Sequence, residues 1–396
     1  MKLEKKSPNE TLGERLKQFI TDICETIGPR LGTSDAERKA GERIRKEYER
    51  YCDETFAEEF SCHPAAFLDS VRVTSILYVV GVILYLWFPI LTAIFGILGL
   101  AIFFAQIMFL KEIIDPIFPK RTGVNIYGKI HPEKQPTQVV LVSGHHDSAY
   151  EFPIVSWLGS RTATLVLIAV GLAVITITLS IFRTLSIFLF PQVLWFFNWL
   201  LIIPLISLIP LLVFGFRLRS GTVVLGANDN LSGVATTLGV GDWVKDHKLQ
   251  TTEVWLVSFA CEENMRGSMR FVQRHKEELQ NAYLLNFDMV GLGDLQIITA
   301  EPFFRTTMTS ELCTMVAEAG KTADLEIPLE VLPFAGTDAS NFINAGLKAT
   351  SVGAIMSSDA PTHWHTVEDT PDKIDPQTLL QAVQLAVSFL QYVDAK

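Results

Sequence analysis

The sequence contains no cluster of lysine and arginine residues, and its formal net charge is -10 at pH 7. Binding to nucleic acid requires concentrated positive charge opposite the phosphates, so we expect no nucleic-acid partner. The five cysteines are scattered and form no CxxC pair. This spacing disfavours a thiolate zinc site and a disulfide framework, and it favours reduced thiols in a reducing compartment.

Charged residues are also missing from three long segments, which are residues 73–110, 162–182 and 184–216. A helix that crosses a bilayer needs about 20 apolar residues, and soluble cores seldom sustain such runs without a charge. The three segments therefore predict membrane-crossing helices. Buried core helices are the alternative interpretation.

We expect these helices to form two transmembrane hairpins, in residues 71–110 and 162–216. The first turns near Pro89, and the second turns between Arg183 and Pro191. Two crossings in each hairpin return the chain to one side of the membrane, so the polar segments can meet in a single domain. The predicted spans contain no ionisable residue that could serve an ion pathway, which favours a role as an anchor.

Positive charge is distributed unevenly around the two hairpins. Only Arg183 lies on the side away from the polar segments. The positive-inside rule then predicts a multi-pass integral membrane protein, in contact with the lipid bilayer, whose polar domain lies in the cytoplasm. The positive residues on the side of the polar domain are Arg72, Lys111, Lys120, Arg121, Arg161, Arg217 and Arg219.

Outside the hairpins, short β-rich runs alternate with helical patterns, which predicts a layered α/β domain. Two early helix starts are indicated by the capping-box spacing of Thr11 with Glu14 and of Ser34 with Glu37. The predicted parts of the domain are residues 1–70 (helical), 111–161 (first strands) and 217–396 (the remainder). Strands are predicted at residues 124–130, 139–144, 253–260 and 283–288, and helices at residues 232–246, 267–279, 306–319 and 376–392.

Side chains suited to metal binding occur where the predicted strands end. They lie in the motifs His145-His146-Asp147, Asn228-Asp229-Asn230, Glu262-Glu263, Phe287-Asp288 and His363-Trp364-His365-Thr366. Ligands of open α/β sheets bind beyond the carboxyl ends of the strands, and zinc accepts imidazole and carboxylate ligands. Each motif alone is more typical of a capped turn or a solvated charge than of a metal site. Their joint order along the chain favours a single metal site.

This ordered set resembles the co-catalytic zinc metallopeptidase family that includes bacterial aminopeptidases, glutamate carboxypeptidase and the transferrin-receptor ectodomain. Residues 27–32 resemble the N-terminal lead-in of that family, and the apolar segments resemble insertions into a peptidase scaffold. The resemblance implies a three-layer zinc-exopeptidase-like α/β domain with a mixed central sheet, two zinc ions and a peptide substrate. Gly336-Thr337-Asp338-Ala339 departs from the Ser-Asp-His of many relatives, so the substrate pocket is expected to differ.

The resemblance also implies a role for each motif. Asp229 would bridge two zinc ions, and Glu262 would be the general base. The two ligand pairs that complete the zinc sites would be His145 with Asp288 and Glu263 with His365.

Further residues near these motifs were assigned by their position in the sequence. Asp147, two residues after His145, is expected to accept a hydrogen bond from the second ring nitrogen of that histidine. Asp369 could serve His365 in the same way. His146 and His363 remain competing ligands because each lies within two residues of an assigned histidine.

These expectations describe a membrane-anchored zinc peptidase, most plausibly an aminopeptidase, that acts through a two-metal-activated water and a glutamate base. Two alternatives stay open. A non-enzymatic receptor or scaffold on a peptidase shell would lack ligands or the base, whereas a glutaminyl-cyclase-like acyltransferase would bind a single zinc ion.

Overall fold

The computed structural model describes residues 11–159, 161–355 and 363–396. Residues 1–10 of the predicted N-terminal part lie outside the described residues, as do residues 356–362. The chain forms two compact units, and each interrupts the other in sequence. The first unit comprises Met1–Pro64, Lys120–Glu151 and Gly221–Lys396, and the second comprises Ala65–Pro119 and Phe152–Ser220.

Helices and strands are numbered along the whole chain. The helices are α1 (Leu12–Thr26), α2 (Asp35–Tyr48), α3 (Pro64–Leu84), α4 (Pro89–Phe103), α5 (Pro153–Leu158), α6 (Arg161–Leu189), α7 (Leu194–Trp199), α8 (Ile202–Arg217), α9 (Ser232–Asp246), α10 (Gly267–His275), α11 (Ser310–Thr322), α12 (Asp338–Asn344) and α13 (Pro376–Asp394). The strands are β1 (Glu54–Cys62), β2 (Arg121–Ile130), β3 (Gln138–His145), β4 (Thr252–Phe259), β5 (Tyr283–Asp288), β6 (Asp294–Glu301), β7 (Thr306–Thr307), β8 (Leu329–Val331) and β9 (Lys348–Ile355).

A mixed β-sheet forms the centre of the first unit. Its strands follow the order β1-β2-β4-β3-β5-β9-β6-β7, and β8 also pairs with β6. Strands β4, β3, β5 and β9 run parallel, whereas β2 and β6 join them antiparallel on either side. The predicted α/β class and the mixed central sheet are therefore confirmed.

Helices pack on both faces of this sheet. Trp255 and Leu256 are consecutive in β4, so their side chains point to opposite faces. Trp255 packs against Phe271 of α10, with ring centroids 6.3 Å apart. On the other face, a Cβ added at Gly241 of α9 would lie 2.7 Å from Leu256 Cδ1. The sheet therefore lies between two helical layers, with α1 and α13 beside α9, and α12 beside α10.

Local hydrogen bonds explain where α1 and α2 begin. The Thr11 side chain accepts a hydrogen bond from the Glu14 N–H, and the Glu14 carboxylate accepts one from the Thr11 N–H, so the predicted capping box is present. Ser34 accepts from the Glu37 N–H in the same way. The Glu37 carboxylate, however, accepts from the Thr33 N–H at 2.6 Å, so this motif only partly forms the predicted box.

Two predicted helices differ from those in the structure. The helix predicted at residues 267–279 ends at His275. The helix predicted from Thr306 begins at Ser310, because Thr306 pairs with Glu301 of β6 and forms the short strand β7. Pairing with a neighbouring strand overrides the helical pattern there, and the local sequence does not show it.

The second unit consists mainly of apolar helices. Within the described residues, four helices are long and apolar enough to cross a membrane. Pro89 and Pro191 begin the helical segments after the two breaks, where the missing N–H of proline costs no helical hydrogen bond. The breaks agree with the turns predicted from the sequence. The candidate spans are Pro64–Leu84, Pro89–Met108, Arg161–Leu189 and Pro191–Arg217.

Hydroxyl groups and one arginine lie inside this second unit. Tyr78 Oη and Ser207 Oγ are 2.7 Å apart, and the Thr92 hydroxyl donates to a backbone carbonyl of α3 at 2.7 Å. Arg183, near the end of α6, donates to the Asn198 side chain at 2.9 Å. These hydroxyls and the Arg183 Nη2 group thus find hydrogen-bond partners between apolar helices, as helix packing in an apolar medium favours.

Each insertion leaves and re-enters the first unit between paired residues. Cys62 at the end of β1 pairs with Arg121 at the start of β2. The Glu151 N–H donates to the Thr222 carbonyl at 2.9 Å. A chain that returns beside its own exit point suits an inserted helical hairpin.

Candidate metal centre

Acidic and imidazole side chains of the candidate site lie at the ends of neighbouring parallel strands. His145 ends β3, Asp288 ends β5, and Glu262 and Glu263 follow β4. Parallel strands end at the same edge of a sheet, so these side chains meet there. Among the described residues, three groups could hold a metal ion, with their ligand atoms within 4.8 Å of one another: His145, Asp229 and Asp288; His145, Glu262 and Glu263; and Asp229, Glu263 and His365.

Asp229 occupies the centre of this arrangement. Its Oδ1 lies 3.3 Å from His145 Nε2, and its Oδ2 lies 3.3 Å from His365 Nε2. His365 Nε2 also lies 3.0 Å from Glu263 Oε2. The two predicted ligand sets correspond to two of the three groups, and Asp229 belongs to both. One carboxylate oxygen therefore faces each set.

Glu262 and Glu263 lie in a single 3-10 turn that follows β4. Cys261 before the turn and Met265 after it have φ values of 54° and 56°, so the chain changes direction at the end of β4. The two carboxylates still reach different partners. Glu262 Oε2 lies 3.5 Å from His145 Nε2, whereas Glu263 belongs to the other ligand set.

Asp147 connects two parts of the site. Its Oδ1 lies 3.3 Å from His145 Nδ1, which is the contact expected from the sequence. The same carboxylate accepts hydrogen bonds from the N–H groups of Glu262 at 3.0 Å and Glu263 at 3.1 Å. Because Asp147 is fully buried, water does not compete for these bonds. Asp147 therefore orients one imidazole and holds the turn that carries both glutamates.

Asp369 makes an equivalent pair of bonds to another loop. It accepts from the Asn228 N–H at 2.6 Å and the Asp229 N–H at 3.0 Å. The sequence had suggested that Asp369 serves His365. The observed bonds instead hold the loop of the central carboxylate, because the backbone N–H groups of that loop point at Asp369.

Two asparagines that sequence reasoning left without a role tie the Asp229 loop to the end of β5. Asn230 Nδ2 donates to the Phe287 carbonyl at 2.8 Å. Asn228 Oδ1 accepts from the Gly291 N–H at 2.8 Å. Both asparagines are adjacent to Asp229 in the Asn-Asp-Asn motif. This adjacency to a predicted ligand is the sequence feature that could have indicated their role.

The competing histidines lie outside the three metal-capable groups of the described residues. His146 is buried, its Nδ1 lies 2.8 Å from Ser258 Oγ, and burial lowers its pKa to about 3. His363 stands at a turn with φ 60°, and its carbonyl accepts from the Thr366 N–H at 3.1 Å. The Trp364 ring packs on His365, with centroids 4.3 Å apart.

A row of buried polar side chains crosses the sheet next to the site. Its members Ser143 and Asn286 each lie two residues before the candidate ligand that ends their strand. Ser143 Oγ donates to Asn286 Oδ1 at 2.7 Å, and Asn286 Nδ2 donates to Ser351 Oγ at 3.3 Å. Ser351 Oγ lies 2.6 Å from Thr337 Oγ1, which donates to Glu301 at 2.7 Å. This row holds β3, β5 and β9 in register beneath the site.

Asp338 is a further acidic residue near the site, which the sequence marked only as part of a departure from relatives. It begins α12 and is fully buried. Burial raises the pKa of Asp338 to about 7. Burial also raises the pKa of Glu262 well above its usual range, and the negative charge of Asp338 adds to that shift.

The cluster carries an excess of negative charge for a buried site. Asp229, Glu262, Glu263 and Asp288 face two imidazoles, those of His145 and His365. Burial lowers the pKa of His365, but the carboxylates of Glu263 and Asp229 outweigh it and raise the pKa to about 10. Glu262 Oε1 and Glu263 Oε1 are buried and accept no hydrogen bond from the described residues. The donor set and its charge thus fit zinc.

Residues 213–390 match the sequence model of peptidase family M28. This segment is therefore similar to peptidase family M28. It includes Asp229, His365 and the acidic residues after β4 and β5, whereas His145 and Asp147 precede it. The resemblance to zinc metallopeptidases that the motifs carried is confirmed by this match.

Curated relatives carry aminopeptidase names. A "Probable leucine aminopeptidase" of Arthroderma otae is 30% identical over 173 residues, which cover 41% of this chain and 47% of that protein. A protein of the same name from Arthroderma benhamiae is 27% identical over 175 residues, with the same coverage. The chain therefore spans about half the length of the curated relatives it matches.

Solved structures share the α/β fold over most of the chain. The zinc aminopeptidase BSAP from Bacillus subtilis matches with a TM-score of 0.57 at 15% identity, covering 96% of this chain and 95% of that one. An Acidobacteriales bacterium glutaminyl cyclase matches with a TM-score of 0.56 at 14% identity, covering 100% of this chain and 99% of that one. At identities this low, the matches show a shared fold and leave the reaction open.

Proposed function

We propose that this M28 protein is a membrane-anchored, zinc-dependent peptidase of the aminopeptidase type. The central position of Asp229, with one oxygen facing His145 and the other facing His365, is the observation that carries the proposal. The family match and the names of the curated relatives favour peptide hydrolysis. The four apolar helices favour an anchor in the lipid bilayer.

Two zinc ions would be held by the residues of the two predicted sets. His145 and Asp288 would hold one ion, Glu263 and His365 the other, and Asp229 would contribute an oxygen to each. When bound, a pair of divalent cations acidifies a shared water and polarises the scissile carbonyl. The remaining chemistry belongs to the side chains around them.

Glu262 is the proposed general base. Its carboxylate accepts the proton of the attacking water while the water oxygen adds to the carbonyl carbon of the peptide. Transfer of that proton to the departing nitrogen allows the C–N bond to break and releases a carboxylic acid and an amine. Asp147 supports both halves of this step, because it contacts His145 and the backbone N–H of Glu262.

The test is zinc analysis of the purified full-length chain together with an assay against aminoacyl and peptide substrates. We expect two zinc ions per chain and release of N-terminal residues. Glu262→Gln should keep its zinc but lose about 10²–10⁴-fold in kcat, the usual contribution of a general base. Glu263→Gln is the matched control, because it should lose zinc as well. Wild-type turnover in Glu262→Gln would remove Glu262 from this role.

A glutaminyl-cyclase-like acyl transfer is the second candidate, since glutaminyl cyclases match the fold as well as aminopeptidases do. It predicts one zinc ion per chain and a cyclised N-terminal product in place of a free amino acid. Mass analysis of products from peptides that begin with glutamine separates the two reactions.

A receptor or scaffold on a peptidase shell is disfavoured by the residues present. Such a protein is expected to lack a ligand or the base, whereas this chain keeps all six positions. A protein that binds zinc but cleaves and cyclises none of the peptides would instead support this third candidate.

The cytoplasmic orientation of the polar domain remains part of the proposal and has its own test. A single reactive cysteine placed near the C-terminus should resist an impermeant thiol reagent added to intact cells and react after permeabilisation. Labelling from outside would place the domain on the other side of the membrane.

A further inference from the structure

Arg30 lies in the predicted lead-in segment and had no role in the sequence analysis. Its side chain is fully buried. Nε donates to the His146 carbonyl at 2.8 Å, Nη1 to the Leu225 carbonyl at 2.7 Å, and Nη2 to the Gly226 carbonyl at 2.9 Å. One guanidinium thus binds the backbone of two loops.

The two loops are far apart in sequence, because the chain leaves the first unit after Glu151 and returns at Gly221. The loop before this insertion carries His145 and Asp147, and the loop after it leads to Asp229. Backbone hydrogen bonds from the Glu151 N–H to the Thr222 carbonyl and from the Val224 N–H to the Ala149 carbonyl join the two chain segments at the insertion. Arg30 adds bonds to residues that lie closer to the ligands.

Main-chain and hydroxyl bonds strengthen the same junction. Arg30 N–H donates to Ser148 Oγ at 2.9 Å, and the Ser148 N–H donates to the Arg30 carbonyl at 3.0 Å. Ser148 Oγ in turn donates to the Val224 carbonyl at 2.9 Å. At Gly226 φ is +61°, and an added Cβ would lie 3.0 Å from Arg30 Nη2. The positive φ and the still closer approach of that Cβ to the Asp229 carbonyl oxygen, at 2.5 Å, explain why a glycine stands there.

We propose that Arg30 is a positioning residue for the metal centre, which clamps the loops on either side of the second insertion so that His145 and Asp229 can share an ion. The proposal rests on the zinc site of the proposed function. It identifies what keeps the two ligands together despite the insertion between them.

A guanidinium suits this task better than an ammonium. Its planar fork presents five N–H donors in fixed directions, whereas lysine carries a compact charge with three rotating donors. The charge also matters, because Asp147 and Asp369 both interact electrostatically with Arg30. Asp147 belongs to the first of the two loops, and Asp369 holds the second loop through the N–H groups of Asn228 and Asp229, so one cation lies near a carboxylate of each.

The experiment measures zinc affinity of the full-length protein by competition with a chromogenic chelator. Arg30→Lys keeps the charge and loses the fork, and Arg30→Gln loses both. We expect Arg30→Lys to weaken zinc binding about 10–100-fold, as loss of a residue that supports ligands usually does. Arg30→Gln should weaken it further. Unchanged zinc affinity in folded Arg30→Lys overturns the proposal.

A control separates positioning from general loss of stability. Leu312→Ala truncates the buried core at α11, away from the ligand loops, so it should lower the thermal midpoint and leave zinc affinity unchanged. If Arg30→Lys fails to fold, Ser148→Ala tests the proposal in its place. This change removes the hydrogen bonds of Ser148 Oγ with the Arg30 N–H and the Val224 carbonyl and leaves the guanidinium intact. It should weaken zinc binding in the same direction, and wild-type affinity in Ser148→Ala would also overturn the clamp.

Amide hydrogen exchange distinguishes failure of the clamp from failure of the proposed function. If the wild-type protein binds no zinc, the proposed function fails. The clamp still predicts faster exchange at residues 225–229 in metal-free Arg30→Lys than in the wild type. Equal exchange rates there would count against the clamp itself.

Discussion

The two units of the molecule bury polar groups of different kinds. In the first unit the buried groups include carboxylates and imidazoles, with Asp147, Asp229 and His145 packed within hydrogen-bonding reach. In the second unit they are mainly hydroxyls, such as those of Tyr78 and Ser207, which bond to each other or to helix carbonyls. A charged side chain buried in the low-dielectric interior requires an opposite charge nearby, whereas a buried hydroxyl needs only a hydrogen-bond partner. The contrast assigns metal chemistry to the first unit and helix packing to the second.

The largest effect should follow removal of the shared carboxylate. Asp229→Asn takes an anionic ligand from both proposed ion positions, so the purified variant should retain neither zinc ion after dialysis. Asp288→Asn is the control, because it removes a ligand from one position alone and should retain one ion. Metal analysis by mass spectrometry measures both, and two retained ions in Asp229→Asn would contradict a bridging role.

A pH effect should follow from Glu301, which is buried at the end of the polar row. Burial raises the pKa of Glu301 from 4.5 to about 7. As pH rises, Glu301 therefore loses its proton in the unfolded chain before it does so in the folded protein. The free energy of unfolding is highest below pH 4.5 and falls as pH rises to about 7. The shift corresponds to about 3 kcal/mol. Urea unfolding of the metal-free protein at several pH values should show that the free energy of unfolding falls less with pH in Glu301→Gln than in the wild type. An equal fall in the two proteins would refute this.

A smaller effect is expected at Asp147. Asp147→Asn keeps one acceptor oxygen for one of the two N–H groups of Glu262 and Glu263 but turns its amide NH2 group toward the other. Zinc affinity should fall about 10–100-fold, which is about 1.4–2.7 kcal/mol. Chelator competition measures it, with the exposed Asp372→Asn as the matched change of charge. Equal affinity in the two variants would mean that Asp147 does not orient the ligands.

The smallest effect should come from the second unit. Ser207→Ala removes the partner of the Tyr78 hydroxyl. Interhelical hydrogen bonds in membrane proteins average about 0.6 kcal/mol, so we expect a loss of that order and no change in zinc content. Thr178→Val is the control, because Thr178 is exposed and bonds only within its own helix. Unfolding in detergent measures the difference, and loss of zinc in Ser207→Ala would break the contrast between the units.

Local sequence was sufficient for the elements with strong periodic or apolar signals. The strands β2 to β5 and the helices α9 and α13 lie close to their predicted ranges, because long apolar runs and helical spacing are local properties. Strands β1 and β6 to β9 were not predicted. The β7 and β8 strands are very short, and pairing with neighbours defines all of these strands more than their own composition does.

By itself the sequence determined which side chains could bind zinc, because ligand chemistry is a property of the residue and strand ends gather at one edge of a sheet. Only the tertiary structure decided how those residues are held. The bonds from Arg30, Asp147 and Asp369 join backbone groups of segments that are distant in the chain. A backbone N–H or carbonyl is the same at every position, so no residue pattern could reveal which of them these side chains would meet.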